Sequence, residues 1–269
     1  MSFNTLPQPG FGTFRLKDEV VRKAVGDALD LGYRHIDTAQ IYDNESDVGQ
    51  AIANSPVARE DIFLTTKVWM DYYRQADFQN SVKDSLKRLQ TDYVDLLLCH
   101  WPSPDNEVPM AEYLGELKAA QDAGLTRHIG VSNFTNAQLD EAISILGPDV
   151  LLTNQVEVHP FLPNRSVVEH GKANGLTITG YMPLAVGAVN DDPTLQAIGE
   201  AHSLTAAQVS LAWVHQQGIV TIPSSTKRHH IESNLKAFDV QLSDDEMARI
   251  DGLARGQRIA NPDFAPDWD

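Results

Sequence analysis

Side chains that can move protons or hold charge recur where apolar runs end. Asp37 closes the run Tyr33-Arg34-His35-Ile36, Lys67 follows the run at 62–66, His100 the run at 93–98, and Ser132-Asn133 the run at 127–131. The steps 37 to 67, 67 to 100 and 100 to 132 are 30, 33 and 32 residues, each the length of one strand–helix unit. Gln155 and Glu157, Tyr181, and Ser224-Ser225 stand in the same relation to three later runs, and Tyr42 falls in the loop after Asp37. Aspartate, tyrosine, lysine and histidine are the types that general acid–base chemistry uses. Taken singly, each has a plainer reading. Asp37 and Lys67 could brace the structure as an ion pair, His100 could be a satisfied core histidine, Tyr42 a packing aromatic, and Gln155 a partner for backbone groups. Four such types at adjacent strand ends are more specific than any one of them. Trp69 and Trp101 follow closely on Lys67 and His100 and are expected at the mouth of the same pocket; Cys99 reads as core.

These groups converge only if the strands lie side by side. The apolar runs are short, β-branched and nearly continuous, as parallel strands covered on both faces require. Between them lie stripes at helical spacing: Val21, Ala24, Val25 and Ala28, then Val82, Ser85, Leu86 and Leu89, then Tyr113, Leu114, Leu117 and Ala120. Gly32 and Gly124 close the first and third. Capping boxes at Thr135/Gln138, Thr205/Gln208 and Ser243/Glu246, each with a flanking hydrophobic staple pair, set three further helix starts. The order is strand–helix throughout. An open dinucleotide-binding sheet should carry G-x-G-x-x-G after its first strand, but residues 10–15 (GFGTFR) lack the third glycine. With residues 10–14 as the first strand there are eight units, the number of a closed (β/α)8 barrel. One α/β barrel domain over residues 1–269 is expected, with its chemistry at the strand C-terminal ends.

Composition restricts the possible partners. There are 21 Lys+Arg against 37 Asp+Glu, a net charge of −16, which repels nucleic-acid backbones and anionic membrane surfaces. A small anion held by a local cation cluster remains compatible with it. The single cysteine allows no internal disulfide, and the longest apolar run (residues 94–101, interrupted by Asp95 and His100) is far short of the ~20 residues a membrane span needs. The first residues, Met1-Ser2-Phe3-Asn4-Thr5-Leu6-Pro7, have neither the basic nor the apolar region of a secretion signal. A cytoplasmic protein without a metal is the expectation.

Five motifs occur in order along the chain: GYRHIDTAQIYDNE at 32–45, DYVD at 92–95 leading to HWP at 100–102, IGVSNF at 129–134, NQVEVHP at 154–160 and IPSS at 222–225. Together they resemble the aldo-keto reductases over essentially the whole chain, a resemblance that also implies a monomer. The resemblance implies hydride transfer from NADPH to an aldehyde or ketone such as methylglyoxal or a 2,5-diketo sugar acid. Tyr42 would then be the general acid, with Lys67 lowering its pKa, Asp37 holding Lys67 charged, and His100 aiming the carbonyl. Phe14, Trp69, His100 and Trp101 would line the substrate side. For the cofactor, NADP(H), the resemblance assigns Ser132, Asn133 and Gln155 to the carboxamide and Tyr181 to stacking on the nicotinamide. Thr13 follows the first strand, and Leu184 opens the stretch to Gly187 near the pyrophosphate. Ser224, Ser225, Thr226, Lys227, Arg228, His230 and Asn234 surround a helix start suited to a 2′-phosphate.

Three positions depart from the commonest family pattern. Ser224 replaces a lysine and His230 an arginine, which together loosen the expected preference for NADP over NAD unless Lys227 and Arg228 compensate; Met182 replaces a serine after the stacking tyrosine, which implies one phosphate contact fewer. The tail after Leu253 is short, implying an open, permissive pocket. Two other readings stand beside a reductase: a non-catalytic NADPH-binding regulatory module, and a Schiff-base aldolase with Lys67 as nucleophile.

Overall fold

The computed structural model describes residues 5–269; residues 1–4, on which the reading of the N-terminus as free of a secretion signal partly rests, lie outside the described residues. Eight parallel strands form one sheet in sequential order: β1 (Gly10–Gly12), β2 (His35–Asp37), β3 (Phe63–Val68), β4 (Val94–Cys99), β5 (Thr126–Ser132), β6 (Leu151–Glu157), β7 (Thr177–Tyr181) and β8 (Val220–Thr221). Neighbours pair in register, for example Gly12 with Asp37 and Asp37 with Thr65. The ring closes where the Gly12 N–H donates to Pro223 O at 3.1 Å. Glycine is required at that seam: a Cβ on Gly12 would lie 2.7 Å from Ile222 O. The protein is a (β/α)8 barrel.

The helices are α1 (Asp18–Asp30), α2 (Glu45–Ala53), α3 (Gln75–Leu89), α4 (Met110–Asp122), α5 (Asn136–Leu146), α6 (Arg165–Ala173), α7 (Pro193–His202), α8 (Ala206–Gln216), α9 (Arg228–Leu235) and α10 (Asp244–Asp251). All three apolar stripes are buried. The three capping boxes form at Thr135, Thr205 and Ser243. Gly32 and Gly124 take φ of +103° and +75°, the left-handed turn that releases a helix into the next strand. The ladder differs from expectation at its ends. β1 stops at Gly12 because Leu16 N turns back onto Thr13 O, β2 begins two residues later than the sequence suggests, and two helices, α7 and α8, bridge β7 and β8.

Alternation along the strands divides the core in two. Ile36, Leu64, Leu97, Cys99, Ile129 and Val131 face the helices. Inside the barrel, Phe63, Leu96, Leu98 and Val220 pack with Leu6, which plugs the floor. Above them sit His35 and Thr65, joined at 3.1 Å, and Thr153 and Thr179, joined at 3.0 Å. The next inward positions up the wall are Asp37, Lys67, His100, Ser132, Gln155 and Tyr181. Period-two geometry therefore delivers the polar strand ends to one level.

Candidate active site

Asp37 and Lys67 are both buried, and Lys67 Nζ lies 2.5 Å from Asp37 Oδ1. Its other hydrogens go to Thr38 O at 2.8 Å and toward Tyr42 Oη at 3.4 Å. Asp37 Oδ2 accepts from Gln155 Nε2 at 2.8 Å, so the carboxylate is held from two sides.

The short 3₁₀ turn Gln40–Tyr42 carries the tyrosine. Buried Asn44 fixes that loop: its Oδ1 accepts from Thr38 Oγ1 at 2.7 Å, and its Nδ2 donates to Thr13 O at 3.0 Å and Leu16 O at 2.9 Å. Gln40 ties the turn to the next loop by accepting from the Trp69 N–H at 2.9 Å. Behind the turn, Glu45 accepts from Thr66 Oγ1 at 2.6 Å and Arg88 Nε at 2.8 Å. None of these three supports had been given a role from sequence, although all lie within the 32–45 motif.

The electrostatics revise one expectation. Lys67 does not pull the Tyr42 pKa down; burial and the nearby Asp37 carboxylate raise it well above the usual tyrosine value. The cation at 3.4 Å is already paired with a carboxylate at 2.5 Å, which partly offsets its field at the phenol. Burial lowers the Lys67 pKa, with Asp37 opposing the shift. His100 falls well below the usual histidine range through burial and the Lys67 charge, and is neutral. Its Nδ1 is buried without a partner among the described residues. The single proton of the neutral ring therefore belongs on Nε2, where a carbonyl oxygen can accept it. Tyr42 and Trp69 stand edge-on to the His100 ring at 5.6 and 5.3 Å, and Phe14 packs on Tyr42 at 5.1 Å.

This cluster forms the floor of a cavity of about 870 Å³. Tyr42, His100, Asp37, Phe14, Trp69 and Trp101 line one part of it; Lys67 lies just behind, reached through Tyr42. Ser132, Asn133, Gln155 and Tyr181 line the next part, already joined to one another. Tyr181 Oη donates to Asn133 Oδ1 at 2.8 Å, Asn133 Nδ2 to His100 O at 3.0 Å, and Ser132 Oγ to Gln155 O at 2.8 Å. The cavity then runs past Leu184, Val186 and Gly187 to Ser224, Ser225 and Thr226.

Other members of the expected cofactor set lie off this surface. Thr13 is fully buried and its hydroxyl is spent on Asp37 O at 3.0 Å. Asn234 is on the buried face of α9. His230 is exposed, with its ring against His229 at 4.3 Å. Arg228 turns away onto α1, where Asp27 (3.0 Å) and Asp30 hold its guanidinium. That leaves Lys227, which makes no ion pair among the described residues, beside a helix N-terminus with no side-chain cap.

Sequence reasoning missed the far wall. Residues 259–262 and Phe264 line the cavity, so the short tail supplies one of its walls. Phe264 meets Trp69 at 5.7 Å and Trp101 at 5.5 Å. Two large aromatics, Phe264 and Trp268, in an otherwise Asp- and Pro-rich tail were the available signal.

Comparison with known proteins agrees with this geometry. A family model described as "Aldo/keto reductase family" matches residues 9–255. The chain is 47% identical over 266 residues to "Methylglyoxal reductase DkgB" of Yersinia pestis, covering 98% of this chain and 100% of that protein. It is 48% identical to the protein of the same name from Escherichia coli O157:H7, covering 98% and 99%. A crystal structure described as a 2,5-diketo-D-gluconic acid reductase B superposes with a TM-score of 0.94 at 46% identity, covering 98% of this chain and 94% of that one. The aldose reductase from Schistosoma japonicum superposes with a TM-score of 0.90 at 32% identity, covering 97% and 95%.

Proposed function

The chain belongs to the aldo/keto reductase family and is an oxidoreductase acting on carbonyl groups; from that premise we propose that it reduces small aldehydes and ketones, methylglyoxal and 2,5-diketo-D-gluconate among them, with NADPH. The carrying observation is the chain of contacts Asp37–Lys67–Tyr42 meeting His100 at the floor of the cavity. The cavity is far larger than a three-carbon substrate and lies in the range that ligand pockets occupy. Its long arm toward Ser224 and Thr226 suits a dinucleotide.

The residues fit that cofactor. Ser132, Asn133 and Gln155 would hold its carboxamide by exchanging their mutual bonds, and Tyr181, oriented by Asn133, would present a ring face for stacking. Lys227 and the head of α9 would take the terminal phosphate. Bound there, the cofactor supplies the hydride.

The chain's own groups supply the rest. His100 Nε2–H donates to the carbonyl oxygen and aims its carbon. Tyr42 gives its proton to the alkoxide that develops, a base stronger than phenolate, so the raised pKa does not block the transfer. Lys67 stabilises the phenolate left behind, and Asp37 with Gln155 keeps Lys67 in place. Phe14 and Trp69 keep water from the reacting atoms. The aldolase reading is disfavoured because all three Lys67 hydrogens have acceptors, which leaves no lone pair to attack a carbonyl. A cytoplasmic location accompanies this reading; no described helix is long and apolar enough to cross a membrane.

The test is NADPH absorbance with methylglyoxal and with 2,5-diketo-D-gluconate. Wild type should turn over, and Tyr42→Phe should lose about 10²–10⁴-fold in kcat. Equal rates for the two proteins would overturn the assignment, and tight NADPH binding without turnover would favour a regulatory module.

A further inference from the structure

Glu157 ends β6 two residues beyond Gln155 and is completely buried, yet no proton-handling residue of the floor hydrogen-bonds its carboxylate. Its partners are two tail amides and one histidine. Oε1 accepts from the Ile259 backbone N–H at 2.8 Å and from His159 Nε2 at 2.8 Å, and Oε2 accepts from the Ala260 N–H at 2.7 Å. The carboxylate places the His159 proton on Nε2, and Nδ1 is left buried with no partner among the described residues.

Beyond residue 253 the chain has neither helix nor strand, so no ladder holds its backbone. A buried anion accepting two amide N–H groups is the strongest fastening that segment has, since charge-assisted bonds exceed neutral ones. Ile259 and Ala260, the two fastened residues, begin the stretch that walls the cavity and ends in Phe264. Trp69 stands between floor and wall, 5.3 Å from the His100 ring and 5.7 Å from Phe264. Outside that wall, Trp268 packs on Trp101 at 6.0 Å, and the Arg258 guanidinium lies over Trp268 at 3.7 Å.

We propose that Glu157 is a positioning residue for the substrate wall: by clamping Ile259 and Ala260 it fixes Phe264 against Trp69 and Trp101, and so sets how tightly aromatic aldehydes are held. The proposal rests on the carbonyl-reductase reading and deepens it by separating two substrate classes. A flat aromatic aldehyde whose carbonyl sits at His100 extends along Trp69 to Phe264. A three-carbon dicarbonyl is held at the floor alone.

Glu157→Gln keeps the shape and one acceptor but turns an NH₂ toward the Ala260 N–H, donor against donor. The expected result is a KM for benzaldehyde raised about tenfold with kcat within about twofold, and a KM for methylglyoxal that moves less than about twofold. In a Phe264→Ala background, Glu157→Gln should add nothing to the benzaldehyde KM, since the ring through which it acts is gone. Equal KM changes for both aldehydes, or an effect that persists undiminished in the Phe264→Ala background, would overturn the proposal.

Hydrogen exchange decides the case even if the variant does not fold. In the wild type the Ile259 and Ala260 amides should be protected like those of β6; exchange as fast as in an exposed loop would show that no clamp exists. The same measurement separates the two readings. A protein that reduces neither aldehyde fails as a reductase, while its tail amides still report on the clamp.

Discussion

At Tyr42 a cation and a carboxylate compete, and the carboxylate together with burial prevails. The consequence is a pH profile. In the proposed mechanism reduction needs the protonated phenol, so rate should fall as pH rises through the Tyr42 pKa, and a raised pKa carries that fall upward. His100 is held neutral by its lowered pKa and adds no step near its ordinary value. The kcat/KM for carbonyl reduction should therefore be level from about pH 6 to about pH 9; a limb centred near neutrality would show that the tyrosine is acidified instead. Asp37 carries the second prediction at this scale. Asp37→Asn leaves the Lys67 ammonium buried without its counter-ion and should cost about 3–5 kcal/mol in urea unfolding. It should also depress kcat, because Lys67 loses the group that orients it. The identities of these residues were legible in the spacing of strand ends. The sign of the Tyr42 shift was not, because it depends on the difference between 2.5 and 3.4 Å around one ammonium.

The elements carry two further tests. At the head of α9 the sequence offers two adjacent cations, and the fold assigns them different work. Arg228 braces α9 against α1 through Asp27 and Asp30, whereas Lys227 is left free beside the uncapped first turn. Lys227→Ala should raise the KM for NADPH about tenfold and hardly alter that for NADH, the mark of a lost charge-assisted phosphate contact. Arg228→Ala should leave the ratio of the two nearly constant. At α5, Thr135→Ala removes the reciprocal cap with Gln138 and should cost about 0.5–2 kcal/mol in thermal or urea unfolding without changing kcat. Capping boxes, stripes and terminal glycines could be read in advance because each is a local relation within a few residues. Strand ends were less legible. β1 and β8 are short because the seam between them depends on how closely Gly12 approaches Ile222 and Pro223.

Over the whole molecule, the exposed large hydrophobics among the described residues are few, and Phe14, Ile41 and Val186 border the cavity mouth. The others, Val20, Tyr72 and Ile145, are single residues on separate helices and turns. With no broad apolar face to bury and a net charge of −16 favouring separation, sedimentation velocity should show one species of single-chain mass at all concentrations. A dimer would require a polar interface that nothing in the charge balance favours.

The sequence by itself determined the barrel and its rim. Eight strand–helix units, each ending in a polar group, have one closed arrangement, and alternation along a strand decides which side chains point inward. Tertiary structure decided whatever depends on groups distant in the chain meeting at ångström range. It committed Thr13 to the Asp37 carbonyl and Arg228 to α1, gave Asp37 to Lys67 and Gln155 together, and raised the Tyr42 pKa. It also folded the tail back as a cavity wall, fastened by Glu157 from about a hundred residues away. A tail without periodicity shows in sequence only its two aromatics, Phe264 and Trp268; its backbone is met by the buried Glu157 carboxylate and by Phe161 O, both far away in the chain.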